Sequence, residues 1–368
     1  VDKFKIVISD CHLSAGRFYE GMLNPHEDFY FDDEMCEFFH FFSTETYGDG
    51  VEVELFINGD FLDFLNVPYH GEFEDAITEE ISLHKLEAII AGHPKVMAGL
   101  KRFASLPGKT ITYMIGNHDA DLFFPKIRER ITREWDPKGQ FPSEKVKLIA
   151  DTDRIRYEGG VEIHHGNQFE AVHVLNFEKP LLHTFLDRPV LNIPWGSFYV
   201  LKIVNRLKVE REWLDKVRPV KVYMLFGLLL DPWFTLRYMF LTGYYFLKTR
   251  FVYTPKRRSS FKVTAQILKQ EAEFLLDLEK QARHLLNDQP EVNTVIFGHT
   301  HKPMNKVWPD GKQYINTGTW TKMINLDWQT LGRQFALTFA FVRISDGKAQ
   351  CELRQWVGET GPHKVFHG

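Results

Sequence analysis

Short apolar runs recur along this chain, and each stops at residues able to bind a metal. Lys5-Ile6-Val7-Ile8-Ser9 leads into Asp10, and Val53-Glu54-Leu55-Phe56-Ile57 leads into Asn58-Gly59-Asp60. Thr110 to Ile115 leads into Gly116-Asn117-His118-Asp119, Val161-Glu162-Ile163 into His164-His165-Gly166, and Thr294-Val295-Ile296-Phe297 into Gly298-His299-Thr300-His301. Runs of this length, rich in β-branched and aromatic residues, predict buried strands. Tyr314 to Trp320 reads as one more strand and a tight turn, with a structural role. Between residues 170 and 290 the pattern changes to longer apolar and amphipathic stretches that read mostly as helices. Pro189 and Pro194 place turns in the first of them, and residues 261–286 predict a long charged amphipathic helix leading back to the last strand.

In an open α/β sheet the carboxyl ends of strands converge on one crevice, where ligands bind. The polar residues delivered there are Asp10, His12, Asp60, Asn117, His165, His299 and His301. Carboxylate, amide oxygen and imidazole together suit Mn²⁺, Fe, Zn²⁺ or Mg²⁺. Two such ions, about 3.5–4 Å apart, can clamp the attacking and leaving oxygens of an in-line phosphoryl displacement. Glycine beside a ligand lets the backbone approach the ions closely.

These blocks resemble the pattern of the calcineurin-like metallophosphoesterase superfamily: D-x-H, G-D, G-N-H-[DE], H and G-H-x-H, spread here over residues 5–320. The resemblance implies an α/β fold, a two-sheet β-sandwich flanked by helices. It implies that Asp10, His12, Asp60 and His301 hold one ion and that Asp60, Asn117, His165 and His299 hold the other, with Asp60 shared. Two divalent ions are therefore expected as cofactors, with Mn²⁺ the first choice.

His118 follows Asn117 and is poorly placed to reach the same ion. A histidine near the leaving oxygen makes a good general acid, because its ordinary pKa lies near neutrality. Asp63, three residues after Asp60, is the candidate carboxylate to orient it, and the superfamily has a histidine–aspartate pair at matching positions. His164 and His165 point to opposite faces if the strand alternates. His165 is assigned to the metals because Gly166 follows it; His164 is read as a packed or hydrogen-bonded neighbour.

The long stretch between the fourth and fifth blocks exceeds a plain connection and reads as an inserted cap. The expected organisation is a core of residues 1–169 and 291–368 with a helical cap at 170–290. From Lys202 to Arg258 thirteen basic residues stand against four acidic ones, in a chain whose net charge is −4. The same segment is dense in aromatics, among them Trp213, Trp233, Phe240 and Tyr244. Basic charge beside apolar surface is the pattern of an interfacial helix on anionic lipid, and it suits a pocket for a substrate with a diphosphate and acyl chains. A buried helical subdomain with a solvated charged face is the second reading. A transmembrane hairpin is the third, since residues 222–247 are long enough to span, although Asp231, Pro232 and Arg237 interrupt them.

The mildly negative net charge gives no global nucleic-acid signature, and no nucleic-acid partner is expected. Cys11, Cys36 and Cys351 are too few and too scattered for a disulfide framework or a thiolate site. Cys11 is expected to be buried rather than reactive. A reducing compartment and no signal peptide are expected, hence a cytoplasmic protein peripherally attached to the inner membrane.

Protein serine/threonine phosphatases share Gly59-Asp60-x-x-Asp63 but follow it with Arg-Gly, where this chain has Phe64-Leu65. The chain is more similar to the UDP-2,3-diacylglucosamine pyrophosphatases of lipid A synthesis, through Ser9-Asp10-Cys11-His12-Leu13, His165-Gly166-Asn167 and Gly298 to Pro303. That resemblance implies hydrolysis of a lipid-linked nucleotide diphosphate. The commoner form of that family has Arg where this chain has His118, and this chain is longer, which leaves another lipid or nucleotide substrate open. A soluble nucleotide or nucleic-acid phosphodiesterase and a non-catalytic binding module on the same scaffold are the alternatives.

Overall fold

The computed structural model describes residues 2–365 except 49, 137, 143, 184–186, 219, 252–277, 326–336 and 359–362. The expected strands form, with ends shifted by a residue or two. The larger sheet contains β1 (Lys3–Ile8), β2 (Glu52–Asn58), β3 (Lys109–Met114) and β4 (Val146–Ile149). The smaller contains β5 (Arg154–Tyr157), β6 (Val161–His164), β7 (Thr294–Phe297), β8 (Met304–Val307) and β9 (Gln313–Asn316). The larger is completed by β10 (Thr338–Ser345), β11 (Lys348–Trp356) and β12 (His363–Val365). The seven-stranded sheet runs β12-β11-β10-β1-β2-β3-β4 and the five-stranded sheet β8-β9-β7-β6-β5. Their centres are parallel: β1 pairs with β2 and β2 with β3, and β7 lies between β6 and β9. Antiparallel strands complete both edges of the smaller sheet and one edge of the larger, whose other edge, β4, runs parallel to β3.

Strand alternation sorts the core into layers. Val7, Phe56 and Met114 of the larger sheet meet Val161, Ile163, Ile296 and Ile315 of the smaller in one apolar cluster, so the sheets pack face to face. The intervening residues Ile6, Ile8, Leu55, Ile57, Ile111 and Tyr113 point the other way. They pack against the helices Asp32–Phe41, Glu79–Gly92, Pro94–Ser105 and Pro125–Trp135. On the outer face of the smaller sheet, Val295, Phe297 and Tyr314 take Leu278, Ala282 and Leu286 of the helix Leu278–Asp288. Those three recur every four residues, one stripe of a helix. The order is helices, sheet, sheet, helix, which is the expected α/β sandwich.

The segment after residue 170 is largely helical, with a short hairpin of Leu181–Leu182 and Val190–Leu191 before Pro194. A helical run then spans Trp195–Tyr199, Val200–Val204 and Asn205–Lys208, its middle wound as a π-helix. It docks on the core: Leu201 joins the main apolar cluster, and the Asn205 amide donates to Leu65 O at 2.8 Å. Lys208 is fully buried between Asp28 at 2.6 Å and Asp215 at 2.8 Å, and Lys216 reaches Asp28 at 2.6 Å. Lys202 pairs with Asp75 at 2.8 Å. Part of the basic run is thus engaged inside the protein, where the buried Asp28 and the half-buried Asp75 and Asp215 neutralise it.

Two more helices, Val220–Leu230 and Pro232–Phe251, form a hairpin that breaks at Asp231-Pro232, where proline removes a backbone donor. Its inner side packs Phe234, Tyr238, Leu241 and Tyr245 on Ile203 and Leu207. Its outer side is apolar and open: Leu229 is 73% exposed, Leu230 82% and Trp233 84%. No helix among the described residues is long and apolar enough to cross a membrane. Of the helix expected over 261–286, only the end lies within the described residues; Tyr253, Lys256, Arg257 and Arg258 lie outside them.

Candidate metal centre

The loops after β1, β2, β3, β6 and β7 meet at one edge of the sandwich. The first two run side by side, with Asp10 N donating to Gly59 O (3.2 Å), His12 N to Asp60 O (3.0 Å) and Leu13 N to Phe61 O (2.9 Å). The last two are joined by Gly298 N to His165 O at 2.8 Å. The turn after β9 closes over the first loop, where the Thr319 hydroxyl donates to Asp10 O at 2.6 Å.

Local backbone geometry sets this edge apart. Asp10, His12, Asp60, His299 and His301 all have left-handed φ, between 51° and 67°. Such conformations are uncommon outside glycine, cost on the order of 1–3 kcal/mol each, and gather at functional sites. They turn the side chains of alternate residues inward. Close approach then demands glycine nearby: a Cβ on Gly116 would lie 2.7 Å from Asp60 N and against its Oδ1, and one on Gly298 would lie 2.6 Å from Asp10 Oδ2.

The candidate ligands divide into two groups that meet at Asp60. Ligand atoms of Asp10, His12 and His301 lie within 4.8 Å of one another, as do those of Asp60, His165 and His299. His301 Nε2 is 3.3 Å from Asp10 Oδ1, and His165 Nε2 is 3.2 Å from Asp60 Oδ2. His12 Nε2 is 4.0 Å from that same Asp60 oxygen and 4.0 Å from Asp10 Oδ1. Asp10, His12 and His301 thus fall together, as do Asp60, His165 and His299. Asn117 is buried in the third loop.

The donor set fits divalent cations on grounds internal to the structure. Asn117 Oδ1 is buried without a hydrogen-bond partner, a costly arrangement unless a cation satisfies it, while Asp10 Oδ1 and His165 Nε2 have only their ion-pair contacts with His301 and Asp60. His12 and His301 bring Nε2 atoms to 3.0 Å of each other, where a single proton can serve only one. Burial opposes the charge on Asp60, yet His165 and His118 hold its carboxyl well below the usual range. Burial lowers and Asp60 raises the His165 pKa, which reaches about 10. A cluster that gathers this much imidazole around buried carboxylates has the charge complement of a cation site.

The histidine rings are oriented from behind. The His12 Nδ1 bonds Asp63 Oδ2 at 2.8 Å, and the His165 Nδ1 donates to Asn58 O at 2.7 Å. Each therefore presents Nε2 to the cluster. His118 lies beside the cluster: its backbone N donates to Asp60 Oδ1 at 2.8 Å, and its ring Nδ1 is 3.1 Å from both Asp63 oxygens. Its ligand atoms also fall in one group with His12 and Asp60. Burial pushes its pKa down, but Asp63 and Asp60 raise it to about 9. Asp63 is fully buried and also takes the Asn66 N (3.1 Å) and amide (2.9 Å). It thus carries two rings rather than the single one expected. His164 points away, to Glu162 at 2.7 Å and Gln168 at 2.8 Å. Cys11 is buried, and burial raises its thiol pKa well above the ordinary value.

Sequence reasoning missed three contributors. Asp119 ties the third block to the second, accepting from Gly116 N (2.5 Å), Tyr113 OH (2.5 Å) and Phe61 N (3.1 Å). Glu170 approaches His299 Nε2 to 3.0 Å, and His173 stands beside both. Asp119 was visible inside the third block. Glu170 and His173 lie past the fourth, where no spacing rule marks them.

No family model matches this chain, and no curated protein matches it. Solved structures align over nearly its whole length at low similarity. A dimetal phosphatase from Danio rerio is 12% identical, covers 99% of this chain and 98% of its own, and has a TM-score of 0.39. Vacuolar Protein Sorting 29 from Cryptosporidium parvum is 12% identical, with 99% and 96% covered and a TM-score of 0.32. A conserved uncharacterized protein from Streptococcus pneumoniae, described as a predicted phosphoesterase, is 12% identical, with 100% and 98% covered and a TM-score of 0.27. Likenesses at these scores carry no argument, so the chemistry rests on this chain's own residues.

Proposed function

We propose that this chain is a dinuclear-metal-dependent phosphoester hydrolase acting at a membrane surface on a lipid-linked diphosphate such as UDP-2,3-diacylglucosamine. The observation that carries the reaction class is Asp60, set between two histidine–carboxylate groups with His118 held at its side. Asp10, His12, Asp60 and His301 would hold one divalent ion, and Asp60, Asn117, His165 and His299 the other, with Mn²⁺ the first candidate. When bound, such a pair supplies Lewis-acid charge at the phosphoryl oxygens and lowers the pKa of water.

The residues around them do the rest. Asp63 fixes the His118 ring through Nδ1 and keeps it protonated, which leaves Nε2 as the donor. Water forms the new P–O bond, the bond to the leaving oxygen breaks, and His118 supplies the proton that oxygen needs. Asp119 keeps the backbone of the second and third blocks rigid, so the acid stays in register with Asp60.

Support for a lipid-linked substrate comes from the helical hairpin. Leu229, Leu230 and Trp233 crowd its exposed turn, and Phe240 and Leu247 continue the apolar face. An open patch of this kind marks an interaction surface. Because Lys202, Lys208 and Lys216 are engaged internally, apolar contact rather than the full basic run would carry the membrane attachment.

The test is Mn²⁺-dependent hydrolysis of UDP-2,3-diacylglucosamine in mixed micelles, with Asp60→Asn as control. UMP release that the variant abolishes supports both parts of the reading. Turnover of soluble diesters without UMP release from the lipid keeps the reaction class and removes the substrate. Bound ions with no turnover of any phosphoester would favour a binding module instead.

A further inference from the structure

Two of the candidate ligand histidines share one construction, in which a buried acceptor grips the nitrogen that faces away from the cluster. Asp63 does this for His12 and Asn58 O for His165, in both cases at Nδ1. His299 is held the other way round. Its Nε2 lies 3.0 Å from Glu170 Oε2, with both side chains largely buried. The carboxylate can only accept at this contact, so the imidazole carries its proton on Nε2. Nδ1 is then the nitrogen with a free lone pair.

Glu170 is itself well placed to be rigid. Its N donates to Asn167 O at 3.1 Å, and its O accepts from His173 N at 2.8 Å. The Asn167 amide donates to His173 O at 2.9 Å, closing the turn. The same turn is tied to the start of the inserted helical run by Gly196 N to Val172 O at 2.8 Å. His173 Nε2 stands 3.5 Å from the same Glu170 oxygen, with its ring centroid 5.1 Å from that of His299.

We infer that Glu170 is a positioning residue that fixes His299 as the Nε2–H tautomer and reserves Nδ1 for the second metal ion. The inference rests on the reading of His299 as a ligand. It adds that this ligand is oriented by a carboxylate from the turn leading into the cap, which couples the second ion to the seating of that segment. Partners of this kind commonly cost about 10–100-fold in metal affinity when removed.

The experiment compares wild type, Glu170→Ala and Glu170→Gln after chelation, with Mn²⁺ alone as the probe. Calorimetric titration counts ions and affinities, ¹⁵N–¹H correlation of the imidazoles reads the His299 tautomer in chelated protein, and melting in EDTA reports folding. The expected result is two ions in wild type. In Glu170→Ala one of them binds about 10–100-fold more weakly, the His299 tautomers are mixed, and melting is unchanged. Glu170→Gln keeps an acceptor and should fall between the two. Unchanged affinities and tautomer in Glu170→Ala overturn the inference. So does equal weakening of both ions with a lowered melting point, which is a structural role. A third ion in wild type that Glu170→Ala removes would make Glu170, His173 and His299 ligands themselves and also overturn it. Wild type that binds no ion fails the metal reading as a whole, while the tautomer measurement still decides whether Glu170 holds His299.

Discussion

Asp63→Asn removes the charge beside His118 and turns one of its accepting oxygens into a donor, so the probe of the proposed acid is read together with the ion content, because Asp63 also holds His12. The wild-type carboxylate accepts from His118 Nδ1 at 3.1 Å and His12 Nδ1 at 2.8 Å. Burial lowers the His118 pKa, while Asp63 and Asp60 raise it to about 9 against an ordinary 6.5. Loss of Asp63 should return most of the shift. The sign follows from the protonated form being active: Asp63 raises the His118 pKa, so the alkaline limb of the wild-type profile should move to lower pH in the variant, with the loss of rate growing as pH rises. The assay is kcat against pH for two phosphodiesters, one with an alkyl alcohol and one with p-nitrophenol as leaving group, on protein of measured Mn²⁺ content. In the alkaline range the alkyl ester should lose up to about a hundredfold, and the nitrophenyl ester, which needs no proton, far less. An Asp63→Asn enzyme that holds two ions, hydrolyses both esters at wild-type rates and keeps its alkaline limb would refute the assignment of His118.

Gly116→Ala should push Asp60 out of place, since the new Cβ would lie 2.7 Å from its backbone nitrogen; elemental analysis should find one or both ions lost along with activity. Away from the centre, His93 bridges the buried Glu27 at 3.2 Å and Asp32 at 2.9 Å. Burial opposes its charge, yet these two carboxylates raise its pKa to about 9. A raised folded pKa stabilises fully below pH 6.5 and is lost as pH climbs through 9, so urea unfolding should show about 3 kcal/mol disappearing across that window. His93→Gln should flatten the slope, and an unchanged slope would discount the bridge. Replacing Leu229, Leu230 and Trp233 with Ser removes apolar side chains worth about 1.5–3 kcal/mol each when buried. Sedimentation with anionic vesicles should weaken by more than about tenfold while hydrolysis of a soluble ester is retained; equal sedimentation of both proteins would remove the hairpin from membrane attachment.

Much of the candidate centre is legible in the chain because its residues are delivered by local means. A buried strand that runs into a polar residue beside a glycine is a pattern of neighbours, and it marks Asp60, Asn117, His165 and His299 as candidate ligands, with Asp10 at the end of β1. Strand alternation set His164 and His165 on opposite faces and the following Gly166 chose between them; His164 turns to Glu162 and Gln168. What stayed hidden involved partners chosen across the fold. Nothing in the basic run announced that Lys208 and Lys216 would meet Asp28, nor that Asp63 would serve two rings.

Sequence alone therefore determined the class of side chain available and the strands that carry it, because short apolar runs and turn chemistry act over a few residues; the two-sheet layering was implied by the resemblance to the metallophosphoesterase superfamily. Tertiary structure decided which nitrogen each imidazole offers, which charges of the inserted segment are neutralised, and which apolar face remains open. Those outcomes hinge on a few ångströms between residues far apart in the chain, such as Glu170 and His299, and only packing sets such distances.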